Sequence, residues 1–179
     1  SNLQLAGAEV ELVMMDFREF ILRNAIDSIK ERYDYIFIDC PPSLGLITIN
    51  AFTAADGVLV PIQCEFFALE GLTQLLGTIQ KVKKTSNPKL DLEGVILTMF
   101  NARTNLSIQV VEEVKKHFSA KLFTTIIPRN VRLGEAPSHG LPIHLYDSKC
   151  VGAVSYAELA QEFLDREMEE VWDDTKRIG

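Results

Sequence analysis

YDYIFIDCPPSLG, residues 33–45, carries the signal on which the interpretation of this sequence rests. Its apolar run, YIFI, predicts a buried strand that brings Asp39 to the carboxyl edge of a sheet. Pro41 and Pro42 follow almost at once and stiffen the next loop, because proline fixes its own φ and restricts the residue before it. Proteins that hydrolyse nucleotides hold an aspartate beside a hydrated magnesium ion in this way. The alternative is an aspartate that only caps a turn or a helix.

The rest of the chain alternates between strand and helix patterns. Three further runs are continuously apolar, as is typical of parallel strands covered on both faces: GVLVPI at 57–62, EGVILTMF at 93–100 and KLFTTIIP at 121–128. Apolar residues at helical spacing predict helices over 3–15, 17–32, 46–55, 68–86, 106–118 and 152–172. This alternation predicts an α/β fold, a mostly parallel sheet flanked by helices, in a single domain over residues 1–179.

Ligands of such sheets bind beyond the carboxyl ends of the strands. The residues at these ends are polar or turn-forming, and we expect them to share one rim: Asp39-Cys40-Pro41, Pro61 to Gln63, Asn101-Ala102-Arg103 and Pro128-Arg129-Asn130.

The composition is that of an ordinary globular protein, with 47% hydrophobic and 24% charged residues among 179. The formal net charge of −7 gives no general reason to expect nucleic-acid binding. The charge is unevenly distributed along the chain, however. Residues 101–132 hold six Lys or Arg against two Glu, which allows a local basic surface. Three widely spaced cysteines do not form a disulfide or zinc pattern and fit a reducing cytosol.

A phosphate-binding loop is the feature that would complete a nucleotide site around Asp39. Its pattern is G-x-x-x-x-G-K-[ST], whose backbone amides and lysine cradle the phosphates. None of the ten glycines is followed by lysine, so the 179 residues do not contain this loop.

Three arginines, Arg103, Arg129 and Arg132, follow predicted strand ends. Each alone fits a solvated surface residue, but together, with Lys115 and Lys116 nearby, they favour a surface that faces anions. The three histidines are not spaced as metal ligands, and G-x-S-x-G is missing, which disfavours a zinc enzyme and a serine hydrolase.

Three blocks of the sequence together resemble the ParA/Soj chromosome-partitioning ATPases. The blocks are YDYIFIDCPPSLGLITINAFTAADGVLVPIQCEFFALEGL, TMFNARTNLSIQVVEEVKK and IIPRNVRLGEAPSHGLPIHLYD, and the resemblance runs from residue 3 to about 165. The wider family includes MinD and carries a deviant Walker A loop near its N-terminus. The resemblance therefore implies that this chain is the C-terminal two-thirds of a ParA protein, without the P-loop and the first strands, and that it is inactive alone.

The resemblance also implies roles for individual residues. Asp39 would be the Walker B aspartate that holds magnesium through water, and Pro41, Pro42 and Gly45 would form switch II, the loop that senses the γ-phosphate. Asn101 would contribute to the adenine pocket, and so would the turn Pro128-Arg129-Asn130. Many relatives carry Asp at the position of Asn101, and either side chain can hydrogen-bond an adenine edge. Arg103 and Arg132 match arginines that grip DNA phosphates without reading the sequence.

For the whole protein, the resemblance implies a cycle driven by ATP and magnesium. ATP closes a sandwich homodimer, the dimer coats double-stranded nucleoid DNA in the cytoplasm, and a ParB-type centromere-binding partner triggers hydrolysis. No membrane partner is expected.

Two alternatives remain open at this stage. A MinD-like division-site ATPase would end in a basic amphipathic helix that lies on anionic lipid, whereas AELAQEFLDREMEEVWDD, residues 157–174, is strongly acidic. A noncatalytic scaffold would need no P-loop. The missing initiator Met and the abrupt start at Ser1 favour a fragment over such a scaffold.

Overall fold

The computed structural model describes the backbone of residues 3–178, the exposure of Gly7 and the side chains of residues 9–168. The chain divides into two compact units. The first contains Ser1–Val58 and Glu70–Glu93, and the second contains Leu59–Leu69 and Gly94–Gly179. The interpretation of residues 1–179 as one α/β domain stays a prediction.

The described secondary structure follows the predicted alternation. Its helices are α1 Leu3–Val13, α2 Ile21–Asp27, α3 Leu46–Ala54, α4 Ala68–Thr85, α5 Asn105–Phe118, α6 Val131–Glu135, α7 Ile143–Tyr146 and α8 Val151–Ile178. Short 3-10 segments lie at Arg18–Phe20, Lys30–Arg32 and Ala136–His139, and the strands are β1 Gly57–Gln63 and β2 Asp91–Thr98. The single helix predicted over 17–32 is wrong, because that segment breaks into α2 and two 3-10 turns.

The two strands pair in parallel. In the first unit the Asp91 amide donates to the Asp56 carbonyl at 3.2 Å, and in the second the Cys64 amide donates to the Thr98 carbonyl at 3.0 Å. Residue numbers rise together along both strands, as parallel pairing requires. The predicted class, α/β with a parallel sheet flanked by helices, is confirmed.

The run predicted as a strand over 121–128 lies beside β2 but makes only two isolated parallel bridges, Val95 to Leu122 and Phe100 to Pro128. The Phe123 amide donates to Val95 and the Ile127 amide to Leu97, each at 2.9 Å. Three residues on one side therefore face one residue on the other, which is a bulge that interrupts the ladder.

Two side chains of α8, Glu162 and Arg166, form hydrogen bonds with the backbone of the bulged run. The backbone amides of Thr124 and Thr125 donate to the two carboxylate oxygens of Glu162 at 2.7 and 2.9 Å. Arg166 donates to the same carboxylate at 2.7 Å and to the Leu122 carbonyl at 2.6 Å. Its guanidinium also lies 3.9 Å from the centre of the Phe123 ring. The Glu162 carboxylate thus accepts hydrogen bonds from the two amides that do not pair with β2.

The core of the second unit forms around the same run. Ile96, Phe123 and Ile127 are buried, and Leu59, Leu133, Leu159 and Phe163 pack against them. A Cβ at position 94 would stand 2.8 Å from Cδ2 of Phe123 and 3.1 Å from the Lys121 carbonyl oxygen, so the close packing of that ring requires glycine there.

Two buried asparagines organise the first unit. Nδ2 of Asn87 donates to the Phe52 and Ala55 carbonyls at 2.9 and 2.7 Å, which satisfies carbonyls at the end of α3. Asn50 accepts from the Leu22 amide at 3.1 Å and donates to the Arg18 carbonyl at 2.8 Å. Residues 18–22 and the turn after α4 are thereby fixed to α3.

The strand predicted over residues 35–39 is not formed in this structure, since no helix or strand is assigned from residue 33 to residue 45. Tyr35, Ile36 and Phe37 are 44%, 40% and 71% exposed. The rings of Tyr35 and Phe37 lie 6.4 Å apart on one side of the chain, as alternate residues of an extended segment do. Among the described residues, the sheet consists of β1 and β2.

All three cysteines, Cys40, Cys64 and Cys150, are free thiols. Within the described part of the chain, no helix has the length and apolar character needed to cross a bilayer.

Candidate functional site

The segment predicted to carry magnesium lies in the first unit. Asp39, Pro41 and Pro42 are exposed, and Gly45 stands at the N-terminal cap of α3. The Glu9 carboxylate accepts from the Leu46 amide at 3.1 Å, and a Cβ on Gly45 would collide with that carboxylate. The predicted switch loop is therefore fixed at its C-terminal end, where Gly45 caps α3, and it is exposed to solvent at Asp39.

The residues present fit one edge of a magnesium site. Within the part of the chain whose side chains are described, no group of three or more His, Cys, Asp or Glu could hold a metal ion. Magnesium in nucleotide sites is usually held by one or two carboxylates, waters and the substrate phosphates. Asp39 suits the role of a single carboxylate that acts through water, and the phosphate-cradling loop is not among these 179 residues.

In the second unit, the structure brings together the loop after β2 and the turn after the bulged run. The Arg129 amide donates to the Phe100 carbonyl at 2.9 Å, next to the bridge between Phe100 and Pro128. Asn101, Pro128, Arg129 and Asn130 therefore lie on two adjacent loops, as the strand-end argument expects. Asn101, Pro128 and Asn130 are half-buried and Arg129 is exposed. Their roles toward adenine stay predictions.

The loop after β2 begins with a strained residue. Met99 has a φ of 55°, which costs about 1–2 kcal/mol for a residue with a Cβ. The Asn101 side chain then accepts from the Arg103 amide at 3.1 Å. The Thr104 hydroxyl lies 3.1 Å from the Asn101 carbonyl oxygen and 3.0 Å from the Ser107 hydroxyl, which donates to the Cys64 carbonyl at 3.2 Å. This chain of hydrogen bonds holds the loop against the end of β1.

Arg132 lies in the first turn of α6, directly after the other loop. Its amide donates to the Asn130 side chain at 2.8 Å, so Asn130 is the N-terminal cap of α6. Its guanidinium lies 2.8 Å from a carboxylate oxygen of Glu135 and 3.5 Å from one of Asp147. The hydrogen bond with Glu135 raises the pKa of Arg132. Arg103 is exposed, and the described ion pairs do not include it.

Several residues at these two loops were not predicted from the sequence. Thr104 and Ser107 sit in a T-x-x-S pattern at the start of α5, and this pattern could have indicated a cap. Glu135 lies two residues before Pro137 in a short helical segment, and Asp147 lies 15 residues after Arg132. Glu135 stands three residues after Arg132, a spacing at which helical side chains pair, whereas no local signal identifies Asp147 as a partner of Arg132.

Known proteins resemble this chain over most of its length. A family model described as an AAA domain matches residues 1–92. The chain is 60% identical over 162 residues to the sporulation initiation inhibitor protein Soj of Bacillus subtilis, covering 90% of this chain and 64% of Soj. It is 57% identical over 163 residues to the chromosome partitioning protein ParA of Myxococcus xanthus, covering 91% of this chain and 58% of that protein. This chain belongs to the ParA/Soj family.

Solved structures show the same fold. The structure of cobyrinic acid a,c-diamide synthase from Mycobacterium smegmatis, with bound ATP analogue and magnesium, has a TM-score of 0.74 and 37% identity, covering 90% of this chain and 59% of that one. The septum site-determining protein MinD from Pyrococcus horikoshii, complexed with Mg-ADP, has a TM-score of 0.67 and 25% identity, covering 80% and 56%. Nucleotide and magnesium thus occur among the structural neighbours of this ParA/Soj chain.

The chain spans about three fifths of the length of the Soj and ParA relatives that it matches.

Proposed function

We propose that this chain is part of a ParA/Soj-type ATPase that binds ATP as a sandwich dimer, binds DNA without sequence preference and drives chromosome or plasmid segregation. The observation that carries the proposal is the 60% identity with Soj over 162 residues, a stretch that takes in nine tenths of the chain. The proposed partner is a ParB-type centromere-binding protein, and the proposed location is the cytoplasm, on the nucleoid.

In this proposal the described residues supply part of the nucleotide site. Asp39 would hold magnesium through water, and the loop of Pro41, Pro42 and Gly45 would respond to the γ-phosphate through its attachment to α3. Asn101 and the 128–130 turn would contact adenine. Bound ATP supplies the phosphoryl group, and the P-loop that cradles it must come from sequence outside these 179 residues.

The exposed apolar segment around Phe37 supports the proposal that further sequence completes the nucleotide site. Tyr35, Ile36 and Phe37 present apolar side chains that are 40–71% exposed, although the run has the composition of a buried strand. The Soj and ParA relatives are longer than this chain, and strands of the proposed whole protein would cover these exposed side chains.

DNA binding is proposed for Arg103 and Arg132 in the second unit. Both side chains are exposed, and both follow loops in the block with six basic residues against two acidic ones. Contacts to phosphates position a protein without reading bases, so no sequence preference is expected.

The MinD-like alternative draws on the fold shared with the P. horikoshii protein. It remains the second candidate, but residues 158–167 on α8 hold four acids against one arginine, and anionic lipid would repel them. A noncatalytic scaffold without a P-loop is the third.

The experiment for ATP hydrolysis compares two variants of the full-length protein encoded by the gene that contains this sequence. We expect Asp39→Ala to lower turnover by orders of magnitude, because magnesium loses its protein carboxylate. Asp34→Ala, an exposed aspartate of the same segment, is the matched control and should hydrolyse ATP normally. The 179-residue chain alone should bind ATP weakly and not hydrolyse it. Near-normal turnover of Asp39→Ala would remove Asp39 from the site, and micromolar affinity of the 179-residue chain by calorimetry would contradict the need for an external P-loop.

The experiment for DNA uses Arg103→Ala and Arg132→Ala with unrelated duplexes in a salt series, in the presence of ATP and magnesium. Each change should weaken binding to every duplex alike and make the salt slope shallower by about one. Lys89→Ala, which removes an exposed charge from the first unit, is the control. If Arg132→Ala abolished basal hydrolysis and left DNA binding intact, Arg132 would belong to the nucleotide pocket.

A further inference from the structure

The guanidinium of Arg132 is held between two carboxylates. Nη1 lies 2.8 Å from Oε2 of Glu135, and Nε lies 3.5 Å from Oδ2 of Asp147. The side chain of Arg132 is 53% exposed, those of Glu135 and Asp147 are 40% and 34% exposed, and all three lie in the second unit. The hydrogen bond from Arg132, and then that from Tyr146, lowers the pKa of Glu135, so the pair is charged at neutral pH.

Both carboxylates are fixed by other contacts. The Tyr146 hydroxyl donates to the same Glu135 oxygen at 3.1 Å, and the Tyr146 ring stacks on His139 with ring centres 4.9 Å apart. Asp147 accepts from the Cys150 amide at 3.1 Å, just before α8, while its own amide donates to the Ile143 carbonyl at 2.8 Å. The two acids therefore hold their places without Arg132.

The charges of this group favour a closed state. One guanidinium and two carboxylates sum to one negative charge, so a DNA phosphate meets net repulsion unless Arg132 leaves a carboxylate.

We propose that Glu135 and Asp147 form an acidic clamp that holds Arg132 and lowers the affinity of the protein for DNA phosphates. The inference rests on the proposed function of Arg132 as a DNA contact. The clamp sets the DNA affinity from within the protein, and any change that opens it, such as a movement of α7 relative to α6, strengthens DNA binding.

The test measures DNA affinity by fluorescence anisotropy on the full-length protein with ATP and magnesium. Glu135→Gln removes one clamp charge and keeps an oxygen for Tyr146. Asp147→Asn removes the other and keeps the oxygen that accepts from Cys150. Each should tighten binding about two- to fivefold, the scale of an exposed ion pair. Glu158→Gln, an exposed neutralisation on α8, makes the same change in net charge and should have a smaller effect.

Repeating Glu135→Gln in an Arg132→Ala background isolates the clamp. The gain in DNA affinity from Glu135→Gln should vanish in this background, because no guanidinium is left for the clamp to release. An equal gain in both backgrounds would assign the effect to net charge and overturn the clamp. If Arg132→Ala weakened DNA binding but neither clamp variant changed it, the clamp would be wrong and the DNA role of Arg132 would stand. If Arg132→Ala did not weaken binding, both would fail.

A readout without DNA completes the test. In the free protein, the Nε–Hε resonance of Arg132 should shift and exchange faster with water in Asp147→Asn, but not in Glu158→Gln. An unchanged resonance would show that Asp147 does not hold the guanidinium in solution.

Discussion

Replacing Glu162 with glutamine removes the charge that holds the bulge of the second unit. The Glu162 side chain is 16% exposed, and its two oxygens accept the amides of Thr124 and Thr125. Burial raises the pKa of this carboxyl, but the hydrogen bonds from Thr124 and Thr125 together outweigh burial and lower it to about 2.

This pKa gives the size of the effect. An ordinary glutamate has a pKa of 4.5, and each tenfold change in proton affinity corresponds to about 1.4 kcal/mol. The ionised carboxylate therefore stabilises the folded state by about 3 kcal/mol at neutral pH. Glutamine keeps one acceptor oxygen but turns an NH2 group toward the second amide, so Glu162→Gln should lose about 2–3 kcal/mol and about 5–10 °C in Tm.

The sign of the pH dependence follows from the lowered pKa. The contribution of Glu162 is complete above the unfolded pKa of 4.5 and disappears as the pH falls through the folded pKa of about 2. The stability difference between the natural chain and Glu162→Gln should therefore be largest above pH 5 and shrink steadily toward pH 2.

Urea unfolding followed by circular dichroism, at several pH values, measures this difference. Glu158→Gln, exposed on the same helix, is the control and should change the free energy of unfolding by less than about 0.5 kcal/mol. The reasoning is refuted if Glu162→Gln matches this control, or if the difference between Glu162→Gln and the natural chain stays constant from pH 6 to pH 3.

Three further predictions concern other contacts. Asn87→Ala should lose about 1–3 kcal/mol of unfolding free energy, because the Phe52 and Ala55 carbonyls lose their donor; an effect no larger than that of exposed Asn24→Ala would contradict this. Ser107→Ala should speed amide hydrogen exchange in residues 101–104, which Ser107 connects to β1, and unchanged exchange there would show that the loop does not depend on it. The isolated 179-residue chain should self-associate through its exposed apolar segment, with Phe37→Ser reducing the effect in light scattering, and a stable monodisperse monomer would count against that reason.

The long elements could be predicted because their patterns repeat. Helices α4, α5 and α8 start within one residue of the predicted positions, since each presents several turns of apolar residues at helical spacing. Helices α6 and α7 have five and four residues, too few for a period to appear, and both were missed.

The strand predictions failed where pairing depends on distant residues. The run at 121–128 has a strand composition, but its ladder is broken at Thr124 and Thr125, whose amides bond a carboxylate 38 and 37 residues away. The run at 35–39 also has a strand composition, yet whether it pairs depends on neighbours that local sequence does not specify. At the candidate site, the strand-end rule placed Asn101 and the 128–130 turn on adjacent loops, while the pairing of Arg132 with Asp147 came from tertiary structure.

The charge of residues 101–132 gives a last prediction about the two proposed DNA contacts. The block holds six basic residues against two acidic ones, which suggests that Arg103 and Arg132 attract DNA equally. Glu135 and Asp147 lie outside the block in sequence but beside Arg132 in space, so the charge around Arg132 is negative. Arg103 has no such pair among the described residues. At low salt, where long-range attraction is strongest, Arg103→Ala should therefore slow DNA association more than Arg132→Ala does. Stopped-flow association rates at two salt concentrations measure this difference, and a larger loss for Arg132→Ala would show that the carboxylates beside Arg132 do not screen it.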